Sequence, residues 1–391
     1  MDDIIIIYYT TWFKSLKYES YTTRGKCDLN YSCYITHNKS LLNDIKTKAI
    51  IFHSSDIQHK YSDFPPTNKL AYNFPWILHS QESPINNFWE LDEHKIKMFK
   101  YSMTYRLDSD FPVSYVPDNI IDKITNKHIN LNNKKRDVHV AWVVSNSVAE
   151  NKRHYYVKEL QKYINIDIYG DYLPYRNKKW PKDKTIYDII SNYKFYLSFE
   201  NSNCDYYVTE KLWNPFLVNT VPIVDGPMNY TIFSPSQHSL IKLDDYNNPR
   251  QLAEYLIYLS NNETAYLEYF SYKSDIKMLD KSFLNTWNKS YGGNIETWGY
   301  DEISGFCKMC KRIYESSHNI INDTNKYLIQ DQSCQNKKWN KYWKSFYTTG
   351  WFIIIWYIII FIIIIYIIYK IKKICKKYKK YLNYIELQNI R

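Results

Sequence analysis

Glycine is scarce in this chain, with eight in 391 residues. No GxGxxG and no Walker pattern occurs, so a bound diphosphate would have to be held by side chains and helix N-termini. There is a single CxxC, Cys307-Lys308-Met309-Cys310, and no His pair is spaced to complete a zinc site with it. No DxD-type pair follows a predicted strand in the second half, so neither a metal nor another cofactor is expected. Asp108-Ser109-Asp110 lies in the first half and reads as loop-shaping. A uniform basic field is also lacking. The net charge is +11, but residues 370–391 hold seven Lys, one Arg and one Glu, which is +7 and leaves about +4 for the body. That distribution argues against nucleic acid and for a basic juxtamembrane tail. The N-terminus, MDDIIIIYYTTWF, has no basic start, no long apolar run and no small-residue cleavage site. It reads as a first β-strand rather than a signal peptide.

Hydrophobic residues make up 45% of the chain and charged residues 23%, as in globular proteins that bury a core. The length suits two domains. Asn, Ile, Lys and Tyr are abundant throughout, which we read as a genomic bias. From Trp351 to Tyr369 runs WFIIIWYIIIFIIIIYIIY, uncharged, which as a helix spans roughly 28 Å and matches a bilayer core. The Lys-rich tail that follows belongs in the cytosol by the positive-inside rule, which makes the body lumenal. Six N-x-S/T sequons, at Asn30, Asn38, Asn229, Asn262, Asn288 and Asn322, all precede the span. Lumenal placement implies that an upstream segment precedes this start; the alternative, tail-first insertion, leaves the body cytosolic and conflicts with the Lys asymmetry. Six body cysteines, Cys27, Cys33, Cys204, Cys307, Cys310 and Cys334, permit a disulfide set in an oxidising lumen. Cys307 and Cys310 also allow a redox pair or half a zinc site, the latter disfavoured because no His pair is spaced to complete it.

In the first 135 residues, 4–9 and 49–53 read as strands, and 68–84 as a strand ending in a turn at Ser83-Pro84. Residues 118–136 are Asn/Lys-rich without apolar period and read as a linker. Strands are then expected at 138–145, 166–170, 194–200 and 221–226, and helices at 154–164, 185–193, 209–219 and 250–260. This alternation predicts an α/β fold with a parallel, doubly wound sheet. Two such domains in series suggest a GT-B-like arrangement of two Rossmann-type domains facing a cleft, as in nucleotide-sugar transferases.

Residues 193–227 read YKFYLSFENSNCDYYVTEKLWNPFLVNTVPIVDGP. A buried strand emerges at Phe199, a polar loop follows, and a helix starts near Thr209, a good N-cap. Glu210 and Lys211 fall in its first turn, at the sheet edge where open α/β folds bind ligands. Alone, this pair reads as a solvated ion pair at an ordinary helix start. The whole segment, however, resembles the signature of the α1,3-fucosyltransferase family (GT10-type). Phe199, Glu200, Asn201, Ser202, Tyr207, Thr209, Glu210, Lys211, Val221, Pro222 and Gly226 stand where that pattern wants them. Tyr206 departs from it, taking the place of an Asp. The resemblance covers roughly residues 1–312, through HSQESPINNF (79–88), FKYSMTYRLDSDFPVSYVP (99–117), where Ser114-Tyr115-Val116 alters the usual ending, and AWVVSNSVAENKRHYYVKEL (141–160).

The resemblance implies an inverting, metal-independent fucosyltransferase with GDP-fucose as donor. Glu82 takes the place of the general base, and Arg153, Asn201, Tyr207, Glu210 and Lys211 those of donor-binding residues. It divides the body into an acceptor-side domain (1–135) and a donor domain (136–312), and the composition adds a stem (313–350), a transmembrane helix (351–369) and a cytosolic tail (370–391), a C-terminal anchor where the family usually carries an N-terminal one. It also implies that Cys307 and Cys310 pair with Cys27 and Cys33, and it places the protein in the Golgi membrane, with the endoplasmic reticulum open. The acceptor stays open between a GlcNAc-bearing glycan of a glycoprotein, α1,3-linked, and Ser/Thr of folded modules, because ESPINNF, Cys204, LWNPF and FCKMC resemble a protein O-fucosyltransferase-like branch. An inactive, membrane-anchored sugar-nucleotide-binding relative and a transferase for another nucleotide sugar are the remaining readings.

Overall fold

Two mainly parallel sheets form the body of this computed structural model. It describes residues 3–57, 64–65, 70–87, 92–125, 129, 131, 134, 139–146, 149–171, 176–288, 299–321, 333–334, 355–374 and 376. The first sheet holds β1 (Ile4–Tyr8), β2 (Tyr21–Thr22), β3 (Cys33–Thr36), β4 (Thr47–His53), β5 (Trp76–Ser80) and β6 (Tyr101–Thr104), in the order β2-β3-β1-β4-β5-β6. Its neighbours pair in parallel except β2 with β3. Parallel strands covered on both faces need apolar side chains at every position, which is why β1 reads IIIIY without alternation. Ile4, Ile6 and Tyr8 pack on one face, and Ile5 and Ile7 join Phe52, Trp76 and Phe99 on the other.

The second sheet holds β7 (His139–Val143), β8 (Asn165–Tyr169), β9 (Phe195–Phe199), β10 (Val221–Asp225) and β11 (Ile241–Lys242), ordered β11-β10-β9-β7-β8 and parallel throughout. The helices are α1 (Glu93–Ile96), α2 (Ile120–Ile124), α3 (Arg153–Leu160), α4 (Ile186–Ile190), α5 (Glu210–Leu217), α6 (Pro249–Asn261), α7 (Glu263–Glu268), α8 (Lys281–Trp287) and α9 (Glu302–Ser317). The strands expected from sequence appear at their places: β4 starts two residues earlier than the expected 49–53, β8 is displaced by one residue from 166–170, and the others are shorter by a residue or more. The stretch 118–136 is more than a linker. It contains α2, whose Ile120, Ile121 and Ile124 are buried with Leu212, Trp213 and Phe216 of α5; the pattern was too short to register as a period.

The chain then returns to its start. In α9, Phe306, Met309, Cys310 and Ile313 follow the i, i+3, i+4, i+7 spacing of one helix face and pack under the first sheet with Ile4, Ile6 and Ile51. Two disulfides staple this contact, Cys27–Cys307 and Cys33–Cys310, the pairing that the resemblance implied. The CxxC sulfurs are thereby engaged in cross-links, which removes the zinc and redox-pair alternatives. A third disulfide joins Cys204 to Cys334.

A separate unit, residues 338–391, contains a 20-residue helix, Ile355–Ile374, with mean hydropathy 2.2 and side chains exposed along its length. It is long and apolar enough to cross a membrane. It runs past Tyr369, the expected end of the span, through Lys370, Lys372 and Lys373. Residues 351–354, most of the expected stem and the tail beyond 376 lie outside the described residues, as does the sequon asparagine Asn322.

Candidate active site

Three consecutive residues at the end of β9 each hold a different part of the site. The Phe199 carbonyl accepts a hydrogen bond from Arg153 Nη1 at 2.5 Å. Glu200 anchors the start of α5. Asn201 reaches the first sheet. All of β9 is buried, so its polar end emerges from a rigid base.

Arg153 is the first residue of α3 and only 3% exposed. Its guanidinium lies over the Trp142 ring, 5.8 Å from the centroid, and its Nε has no hydrogen-bond partner. Burial lowers its pKa, while the Glu200 carboxylate works the other way. A buried guanidinium with an open N–H is costly unless an anion completes it.

Glu200 is buried as well. Its carboxylate accepts from the Thr209 backbone N–H at 2.8 Å and from the Thr209 hydroxyl at 3.0 and 2.9 Å. Thr209 does precede α5, as expected, but its side chain makes no cap hydrogen bond. Its hydroxyl is turned to Glu200, which meets Thr209's own N–H instead. Lys211 Nζ lies 3.3 Å from Glu200 Oε2 and 3.2 Å from Glu210 Oε1. Burial works against the Lys211 charge, but the two carboxylates outweigh it and raise its pKa. Burial pushes the Glu200 carboxyl up, with Lys211 opposing. The Glu210 side chain is 53% exposed. Pro215 within α5 has no N–H for the Lys211 carbonyl; Ser198 Oγ donates to that carbonyl at 2.7 Å instead.

Glu82 follows β5 by two residues, at the edge of the first sheet. Four donors converge on its Oε1: the Ser83 N–H at 3.0 Å, Asn86 Nδ2 at 3.0 Å, Asn201 Nδ2 at 3.3 Å and the Tyr207 hydroxyl at 2.5 Å. Oε2 takes none of these. Tyr207 is buried, and burial together with the Glu82 carboxylate raises its pKa, so it acts as a donor. The contact between the sheets is reinforced by Ser202 Oγ to Ser83 Oγ at 2.6 Å.

Of the residues singled out from sequence, Glu82, Asn201 and Tyr207 meet directly. Arg153 and Lys211 converge on the Phe199-Glu200 end of β9, and Glu210 joins through Lys211. Glu200 carried no role in the sequence reading beyond its place in the motif. Asn86 was missed too, although its i+4 offset from Glu82 in ESPINNF was a usable signal. Nothing in the sequence linked Ser333 and Cys334 to this loop. Among the described residues no group of three His, Cys, Asp or Glu side chains is arranged to hold a metal ion.

Comparison with known proteins agrees with this architecture. The family described as Glycosyltransferase family 10 (fucosyltransferase) C-term matches residues 132–327, and the one described as Fucosyltransferase, N-terminal matches residues 2–116. GDP-fucose protein O-fucosyltransferase 3 of Xenopus laevis is 30% identical over 332 residues, covering 81% of this chain and 67% of the relative. The human 4-galactosyl-N-acetylglucosaminide 3-alpha-L-fucosyltransferase 9 is 37% identical over 246 residues, covering 62% and 64%. The matches thus span about two thirds of these relatives' own length. A crystal structure of an alpha1,3-fucosyltransferase with GDP superimposes with a TM-score of 0.50 at 16% identity, covering 83% of this chain and 92% of that one, a likeness of α/β fold. On these matches the chain belongs to glycosyltransferase family 10, the fucosyltransferases.

Proposed function

We propose that this protein transfers L-fucose from GDP-β-L-fucose to a glycan hydroxyl, in α1,3 linkage to GlcNAc, with inversion at the anomeric carbon. The observation that carries this reading is the meeting of Glu82, from the edge of one sheet, with Asn201 and Tyr207, from the edge of the other. Glu82 is the general base. It takes the proton of the acceptor hydroxyl as the new bond forms to the anomeric carbon and the bond to the β-phosphate oxygen breaks. GDP leaves with the electron pair of that bond. Arg153 and Lys211 stabilise the charge developing on its phosphate, and a buried guanidinium with an open N–H suits that task. Asn201, Tyr207 and Glu210 complete donor binding. This reading assigns the first sheet to an acceptor-side Rossmann-type domain (1–135) and the second to a donor domain (136–312) in a GT-B-like arrangement. The stem (313–350) leads to a span that holds the body in the Golgi lumen.

A second reading is fucosylation of a protein Ser or Thr. It is favoured by the extent of similarity to GDP-fucose protein O-fucosyltransferase 3, which covers 81% of this chain against 62% for the α1,3-fucosyltransferase. The test is transfer from labelled GDP-fucose to a mixed panel of GlcNAc-terminated glycans and folded cysteine-rich modules, with Glu82→Ala alongside. Transfer to glycans that Glu82→Ala loses by a factor on the order of 10² or more supports the first reading. Transfer to modules alone selects the second. Full activity in Glu82→Ala removes Glu82 as the base.

A further inference from the structure

Residues 333 and 334 lie beyond the family match, which ends at residue 327, yet both touch the loop of the site. Cys334 is bonded to Cys204. The Ser333 hydroxyl oxygen accepts from the Asp205 N–H at 3.2 Å and from Arg106 Nη1 at 3.0 Å. Arg106 belongs to the MTYRLDSD segment after β6. Its Nε and Nη2 both donate to Asp108 at 2.8 Å, and its guanidinium lies over the Tyr206 ring, 5.2 Å from the centroid. Three consecutive residues are therefore fastened: Cys204 covalently, Asp205 through its main chain, Tyr206 through its ring. Tyr206 is held at φ +62°, a left-handed conformation that is strained for a non-glycine residue and persists only where the surroundings impose it. Next in sequence is Tyr207, packed edge-on against Tyr105 at 5.0 Å with its hydroxyl on Glu82.

We propose that Ser333 and Cys334 are positioning residues for the transfer reaction: they clamp the 204–207 loop onto Arg106, so that the Tyr207 hydroxyl meets Glu82 Oε1. This rests on the reading of Glu82 as the base. With Oε1 held by Tyr207, the carboxylate of that base is fixed in orientation for proton transfer. Freed at Cys204 and Asp205, Tyr206 relaxes out of the left-handed region and carries Tyr207 away. A displacement of about 1 Å at such a site costs up to about 10²-fold in rate.

The test uses the full-length anchored chain and three variants: Cys204→Ser with Cys334→Ser, Ser333→Ala, and Tyr207→Phe as the reference. In the serine pair, kcat/KM for the acceptor is expected to fall about 10–10²-fold. The loss is expected to fall on kcat more than on KM, in step with Tyr207→Phe. Adding Tyr207→Phe to the serine pair then costs little more, because both act through one contact. Ser333→Ala leaves the disulfide in place and is expected to lower kcat by less; Ser333→Thr, which keeps the hydroxyl, restores it. A kcat that stays put in the pair and in Ser333→Ala, with Tyr207→Phe adding in full, overturns the proposal even where thermal stability drops. If the pair does not fold, Ser333→Ala decides alone. Glu82→Ala separates the two levels: if it stays active the base assignment fails, and if it is inactive while the strap variants keep the wild-type kcat only the positioning role fails.

Discussion

At Gly226 a β-carbon would lie 2.4 Å from the Tyr230 hydroxyl oxygen and 3.2 Å from Glu200 Cγ. Tyr230 is buried, so its ring cannot swing aside, and Glu200 is held by Thr209 and Lys211. Gly226→Ala is therefore expected to displace Glu200. Overpacking of this kind costs about 1–3 kcal/mol, and fucose transfer should fall further than the loss of folded protein explains. Thermal melting and transfer rates measured on the same preparation check this; an alanine variant with wild-type turnover would show that Glu200 has room to move. The sequence made Gly226 visible only as the last letter of a motif. Why that letter must be glycine lies in the packing of Tyr230, four residues on. The same holds for Glu200. Its neighbours Asn201 and Lys211 could be named as donor-site residues because the motif aligns them. Its own part, gripping Thr209 and Lys211 together, needs the turn between β9 and α5 to be built first.

Elements were legible where their signal was local. The unbroken apolar runs of β1 and β9 and the period of α6 mark strands and helix by themselves. The helix α2 was not legible, because five residues make too little periodicity and its burial depends on α5 arriving from some 90 residues away. Lys134 is a further case, a charge in a polar stretch that reads as solvated and is 5% exposed. Its Nζ donates to the Ser191 and Tyr193 carbonyls at 3.1 and 2.9 Å and to Thr220 Oγ1 at 3.1 Å, tying the end of α4 to the approach to β10. Burial, with Lys194 adding to it, pushes its ammonium down to about 7 from the ordinary 10.5. Between those two values the unfolded chain keeps a proton that the folded chain releases. Stability contributed by this group thus rises with pH from about 7 to 10.5. Lys134→Met removes the titration and is expected to flatten the slope of urea midpoint against pH in that window, while lowering stability overall through three lost hydrogen bonds. Equal slopes in the two proteins would mean that the three acceptors keep the ammonium charged throughout.

At the scale of the whole molecule, the apolar span was evident from composition alone. The closure of the body was not, because α9 joins a sheet that begins some 300 residues earlier and only the resemblance connected the two CxxC cysteines to Cys27 and Cys33. The two staples close loops of nearly equal length, with sequence separations of 280 and 277 residues, but they are not independent. In the chain-entropy model a loop of that size contributes roughly 5–6 kcal/mol. Once either bridge exists, the other closes only a small ring, made of the seven residues from Cys27 to Cys33 and the four from Cys307 to Cys310, and adds roughly 2–3 kcal/mol. Replacing one pair of cysteines by serine is therefore expected to cost about 2–3 kcal/mol, whichever pair is chosen. Replacing both costs roughly 8 kcal/mol, which exceeds the sum of the single losses by about 3 kcal/mol. Denaturant unfolding of the secreted body, with all four combinations measured under non-reducing conditions, yields that coupling directly. Additive losses would mean that the unfolded chain keeps its two ends together without either bridge, through the apolar face of α9 and the strand β1 that it covers.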